Sequence, residues 1–185
     1  VSLQLRGNFT YQKTDILDMD EAANELWYKM NKGFQLNQSR GFIALGLFKD
    51  QEDIDRSPSQ ASLANKTILP GDIKYKDLNH DGVIDSNDQA PIGYNPVPEM
   101  TFSLAAGLNW KGIDFSILLQ GAARSSIYLQ QDIAWDNFWG NYYEEHIGRW
   151  TPETAATATY PRFTKAATPA HPNYYKSDYW LKDSK

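Results

Sequence analysis

Hydrophobic and polar residues alternate without a break over the first twelve positions. Val1, Leu3, Leu5, Gly7, Phe9 and Tyr11 fall on one side, and Ser2, Gln4, Arg6, Asn8, Thr10 and Gln12 on the other. A period of two predicts a β-strand with one apolar and one polar face. The pattern returns at 101–122. There Phe102, Leu104, Ala106, Leu108 and Trp110 share a face, and Ile113, Phe115, Ile117 and Leu119 resume it beyond Lys111-Gly112. Two alternating runs joined by two residues, with Gly in the turn, predict a hairpin. A strand of about twelve residues is long for a soluble sheet and right for a tilted membrane strand. On pattern alone, an ordinary sandwich strand fits equally well. Trp110, beside the turn, fits either a membrane–water boundary or the core of a soluble sheet.

Two long connections follow the strands, over 14–100 and 123–178. Connections of that length carry function or structure of their own. Met19, Ala22, Ala23, Leu26, Trp27 and Met30 recur at helical spacing, with Asp18 and Glu21 as a start signal and Gly33 as a stop. Residues 41–48 predict a short apolar strand, 51–55 one helical turn, and 56–70 a loop. In the second connection, Trp135, Phe138, Trp139, Tyr142 and Tyr143 place one aromatic face on a short helix over 133–147. That face is either the local core of a folded loop or a contact surface for a protein or glycan formed by Trp135, Trp139, Tyr142 and Tyr143. We expect Trp135, Trp139 and Tyr143 to be buried against Trp150 and the 154–163 segment.

Composition narrows the function classes. Lys and Arg number 18 against 23 Asp and Glu, a net charge of −5, which argues against a nucleic-acid partner. No Cys is present, which excludes disulfides, thiolate metal sites and a cysteine nucleophile. No apolar run approaches the roughly 18–20 residues of a membrane helix, but membrane β-strands hide in alternating patterns. His80, His146 and His171 are scattered, and Glu144-Glu145 are adjacent and point apart on a helix. No catalytic constellation stands out, and the expectation is that the chain is not an enzyme.

The strongest chemical signal is the run from Asp77 to Asp88. Asp77, Asn79, Asp81, Asp85 and Asp88 occupy positions 1, 3, 5, 9 and 12 of a loop, with Gly82 at the sharp sixth position and the Val83 carbonyl at the seventh. A hard divalent cation takes about six to eight oxygens, and this spacing supplies most of them from one loop. The twelfth position holds Asp where the pattern has Glu. Ile73-Lys74-Tyr75 is strand-like, and Pro91 and Gly93 forbid a long exit helix. The expectation is a structural calcium outside a helix–loop–helix frame, held by Asp77, Asn79, Asp81, Val83, Asp85 and Asp88. An Asx-rich turn without an ion is the alternative.

Gly7-Asn8-Phe9-Thr10-Tyr11, Pro70-Gly71-Asp72 to Asp81-Gly82-Val83-Ile84-Asp85, the hairpin from Gly107 to Ser116, Arg149-Trp150-Thr151-Pro152-Glu153, Tyr160-Pro161-Arg162 and Ser177 to Asp183 follow one another along the chain. Their order resembles the SusC/RagA family of TonB-linked outer-membrane transporters. His80 stands where the family usually has Gly, and Asp18 to Asn37 departs from its pattern. The resemblance implies a mainly β fragment: antiparallel strands from the C-terminal part of a transmembrane β-barrel of about 22 strands, with long extracellular loops containing short helices. Residues 1–13 would be a barrel strand, and 14–100 an extracellular loop carrying the calcium-type loop 77–88. Residues 101–122 would be a barrel hairpin with a periplasmic turn at 111–112, and 123–178 a second extracellular loop. Residues 179–185 would begin the next strand. The chain then reads as a piece of a longer protein of the Gram-negative outer membrane, lying mostly on the extracellular side. The implied function is TonB-driven import of oligosaccharides or peptides, with a SusD-like lipoprotein as partner. A soluble, calcium-stabilised β-domain that binds glycans is the competing reading.

Overall fold

The computed structural model describes residues 1–22, 26–60, 68–129, 135, 142–164 and 171–184. In chain order the strands are β1 (Ser2–Tyr11), β2 (Arg40–Gly41), β3 (Ala44–Leu47), β4 (Ile73–Tyr75), β5 (Ala90–Pro91), β6 (Met100–Trp110), β7 (Ile113–Ala123), β8 (Ser125–Tyr128) and β9 (Leu181–Ser184). One short helix, α1 (Gln51–Asp55), and several single 3-10 turns complete the described chain. The fold is mainly antiparallel β with very little helix.

The long strands form one sheet in the order β1-β6-β7, antiparallel throughout. Its register sets the faces. Leu3 opposes Leu108, Phe9 opposes Phe102, and Leu108 in turn opposes Phe115. Directly opposed residues share a face, so the apolar sides of all three strands coincide. The opposite face carries Gln4, Arg6, Asn8, Ser103, Asn109, Asp114, Ser116 and Gln120, with Leu118 as its one large apolar exception. Nothing within the described chain covers the apolar face: Leu3, Leu5 and Phe9 are each 65% exposed. Lys111 (φ 49°) and Gly112 (φ 84°) both adopt left-handed backbone, the requirement of a two-residue turn whose twist matches the strands it joins.

The connections fold into a separate body beyond the other end of the sheet. Phe42, Ile73, Tyr75, Ile84, Trp135, Tyr160, Tyr174 and Trp180 form its core. β4 lies at the centre, paired on one side with β3. On its other side the Gln60 side chain replaces a strand partner: its amide donates to the Ile73 carbonyl (2.9 Å) and its carbonyl accepts from Tyr75 N (2.7 Å). Asp72 is fully buried beside β4. It pairs with the Arg162 guanidinium (2.7 Å) and accepts from the Asn173 amide (3.0 Å) and Leu69 N (2.9 Å). Asn173 accepts from Ile73 N (2.9 Å), and its carbonyl accepts from the Trp180 indole (2.7 Å). These bonds tie segments a hundred residues apart and satisfy groups that would otherwise be costly to bury. At Arg124 (φ 57°) the chain kinks out of β7 into β8, which pairs with β9.

The helix expected over 19–30 is not formed in the described residues. Residues 16–22 are irregular, and one 3-10 turn covers Trp27–Lys29. The Glu21 carboxylate instead accepts from the backbone of Asn31 and Lys32 (2.9 Å each). Backbone bonds between Ile16 and Phe34 and between Gly33 and Ile16 draw the segment into a hairpin-like loop. These contacts outweigh an apolar spacing with little core to face.

Candidate functional site

The 77–88 loop leaves β4 and returns to the core at Ile84, which is fully buried. Backbone bonds fix its middle: Ile84 N donates to the Ser59 carbonyl (2.8 Å) and Ser59 N to the Gly82 carbonyl (2.9 Å). The turn passes through two left-handed residues, His80 (φ 62°) and Gly82 (φ 84°). The loop's acidic side chains face its own backbone. Asp77 accepts from His80 N (2.6 Å) and Gly82 N (2.9 Å), Asp81 from Val83 N (2.8 Å), and Asp85 from Asn87 N (2.7 Å). Asn79 accepts from Asp81 N (3.2 Å), and its amide donates to the Asp81 carboxylate (2.8 Å).

Asp88 behaves differently. It is fully buried, and its two oxygens accept from Leu78 N and Asp85 N (2.8 Å each), so it joins the two ends of the loop. Asp85 and Asp88 cap the Ser86–Asp88 turn reciprocally. Among the described residues, no group of three or more His, Asp and Glu side chains converges tightly enough to hold a metal ion as placed. None of the four loop carboxylates pairs with Lys or Arg among those residues.

Tyr28, which nothing in the sequence pattern marks, lies against this loop. It is 6% exposed, and its hydroxyl has no hydrogen-bond partner. Burial raises its pKa, and the charges of Asp88, Asp77, Asp81 and Asp85 raise it further, so it stays a protonated donor. The neighbouring Lys29 ammonium donates to the Ser86 carbonyl (2.6 Å), docking this turn on the loop's exit.

The aromatic residues of the second connection are divided. Trp135 is buried in the core, its ring centroid 4.6 Å from that of Tyr174. Tyr142 is 59% exposed and Tyr143 is 39% exposed, so the expected burial of Tyr143 is not met. Trp139, and the parts of the predicted 133–147 helix at 133–134 and 136–141, lie outside the described residues. The segment's described end is a 3-10 helix, Glu144–Gly148. His146 projects inward from it and packs at a tilt against Tyr160, with centroids 4.6 Å apart, and has Phe163 edge-on at 5.5 Å. Its Nδ1 accepts from Tyr143 N (3.1 Å), which makes the backbone turn around the ring. A cleft of about 410 Å³ opens here, lined by Leu129, Glu145, His146, Tyr160, Trp180 and Lys182 among others. The inward role of His146 was not legible in a sequence where its three histidines are scattered.

Comparison with known proteins bears on the whole arrangement. No family model matches the chain. Over 127 residues, 66% of its length, it is 34% identical to TonB-dependent receptor P26 of Formosa agariphila. The chain is similar to a TonB-dependent receptor. The aligned part spans only 12% of that receptor's length, so the likeness concerns one portion of a much larger protein.

Proposed function

We propose that the chain is a segment of the transmembrane barrel and outer loops of a TonB-dependent outer-membrane receptor of the SusC/RagA type, which imports a nutrient and catalyses no reaction. The observation that carries this reading is the β1-β6-β7 sheet. One face is apolar on every strand and uncovered, the other is mostly polar, and neither outer edge is paired among the described residues. A soluble sheet buries its apolar face against another layer; lipid is the other medium in which such a face is stable. Length agrees. Eleven residues at about 3.3 Å each span about 36 Å, and a tilt near 45° brings this to about 25 Å, the height of a barrel's apolar band. Similarity to a receptor of which the chain covers 12% supports the same reading.

In this arrangement the Lys111-Gly112 turn is periplasmic and the two loop bodies are extracellular, since barrels have short inner turns and long outer loops. The whole receptor would take energy from TonB, import an oligosaccharide or peptide, and carry a SusD-like lipoprotein over its outer loops. An epitope inserted between Lys111 and Gly112 of the receptor in intact cells tests the topology. It should be shielded from antibody until the outer membrane is opened, while an epitope at the exposed Val97 should react at once. Reaction of the turn epitope in intact cells, or recovery of the protein in the soluble fraction, would overturn the reading. Purification without a surface lipoprotein would remove the SusC/RagA type alone.

A further inference from the structure

The 77–88 loop carries chemistry that spanning a membrane does not use. Four carboxylates lie in twelve residues with no cationic side chain paired to them among the described residues, and one of the four, Asp88, is fully buried. Like charges held this close disfavour one another, and buried charges are usually paired or bound to a metal. The loop is nevertheless held firmly, by Ile84 in the core and by Asp88 across its two ends. A second feature points the same way from a different element: the Tyr28 hydroxyl, 94% buried with its residue and without a hydrogen-bond partner, lies near enough to Asp88, Asp77, Asp81 and Asp85 to feel their charges, on a turn that Lys29 docks onto the Ser86 carbonyl.

We propose that Asp77, Asn79, Asp81, the Val83 carbonyl and Asp85 form a calcium site, closed by Asp88 and backed by the Tyr28 hydroxyl. The donor set is all oxygen: three carboxylates, one amide and one backbone carbonyl, with Tyr28 as a further neutral oxygen on the buried side. Hard cations select such sets, and the mixture of charged and neutral donors on a flexible loop suits calcium better than magnesium, which demands a stricter octahedron and keeps its waters. The backbone bonds do not exhaust the donors. Each carboxylate oxygen retains a lone pair after accepting one N–H, so the exposed Asp81 and the half-buried Asp77, Asn79 and Asp85 can turn oxygens toward one centre without giving up every backbone bond. Asp88 differs because both of its oxygens already clamp the loop's ends; it fixes the ring in which the others converge.

The site is tested on the whole chain in detergent micelles, with terbium as the probe. Bound terbium should emit on excitation of tyrosine, and calcium should quench that emission at far lower concentration than magnesium. Asp81→Asn keeps an oxygen to accept from Val83 N and removes one charge, so it should weaken both metals by about tenfold or more. Asp81 is exposed, and circular dichroism matching the parent would confirm that the variant is folded. Tyr28→Phe should lower the emission per bound terbium. Emission that calcium does not displace, or that is identical in Asp81→Asn, would overturn the site. Undiminished emission in Tyr28→Phe would overturn the part given to Tyr28. None of these outcomes depends on whether the sheet spans a membrane.

Discussion

The sheet and the loop body share one chain but obey opposite rules. In the body, apolar side chains are inside and the central buried polar groups are matched: Ile73 and Ile84 are fully covered, and Asp72 meets Arg162, Asn173 and Leu69 N. In the sheet, Leu5, Phe9, Leu104 and Phe115 are exposed, as are Asn8, Asn109 and Ser116 on the other face. The body therefore has the energetics of a domain in water. The sheet keeps an apolar face that nothing in the described residues covers, as the proposed wall between lipid and water would. One sequence can carry both because the period of its hydrophobic residues changes where the environment does.

The largest expected effect would break the body and leave the sheet. Asp72→Ala strands the Arg162 guanidinium and the Asn173 amide in the core, and removing one partner of a buried pair costs about 3–5 kcal/mol. Near-ultraviolet circular dichroism of the packed aromatic residues should collapse while far-ultraviolet strand signal persists; loss of both together would show that the two regions fold as one. Next comes a test of the wall itself. Leu108→Arg should cost about 2–4 kcal/mol if that position faces mid-membrane, and Ser116→Arg on the opposite face much less. Folding yields in lipid vesicles would read the difference, and equal losses would count against two distinct faces.

Smaller effects sharpen the picture of the body. His80 holds φ 62° where a residue without Cβ is unstrained. His80→Gly should relieve about 1 kcal/mol of left-handed strain and lose part of that gain to a freer unfolded chain. A net stabilisation of a few tenths of a kcal/mol in urea denaturation is expected, and a loss of stability would place His80 in a contact of its own. The smallest effect is electrostatic. Burial acts to raise the Asp53 carboxyl, but its bond to the Lys74 ammonium (2.7 Å) and Lys49 N prevails and holds it below the ordinary 3.8. A folded pKa below the unfolded one means stability that is present above 3.8 and lost as pH falls through the folded value. Asp53→Asn should flatten that acid limb, and an unchanged pH profile would deny the pair its role.

Strands were legible in the sequence because apolar and polar positions alternate with a period of two. From Val1 to Gln12 and from Phe102 to Leu119 the alternation holds apart from Leu118 and the turn, and the observed register places the apolar positions on a single face. The loop body was less legible because its order is set by contacts between distant residues. Gln60 acting as a strand, Glu21 capping Asn31 and Lys32, and Asn173 bridging Ile73 and Trp180 have no local signature. The apolar spacing of 19–30 imitated a helix, yet one turn forms there among the described residues. The 77–88 loop lies between these cases. Its oxygen spacing and left-handed turn were readable, whereas the buried Tyr28 behind it and the clamp made by Asp88 are products of the fold.

The central claim is that the β1-β6-β7 sheet divides lipid from water. The chain contains no cysteine, so single cysteines placed in turn at each position from 102 to 109, and spin-labelled in the receptor assembled in a bilayer, report on β6 alone. Collisions with oxygen, which concentrates in lipid, and with a water-soluble nickel chelate measure the two sides. The account predicts strict alternation: oxygen dominant at 102, 104, 106 and 108, and nickel at 103, 105, 107 and 109. Collision rates without a period of two, or nickel dominant at all eight positions, would contradict it.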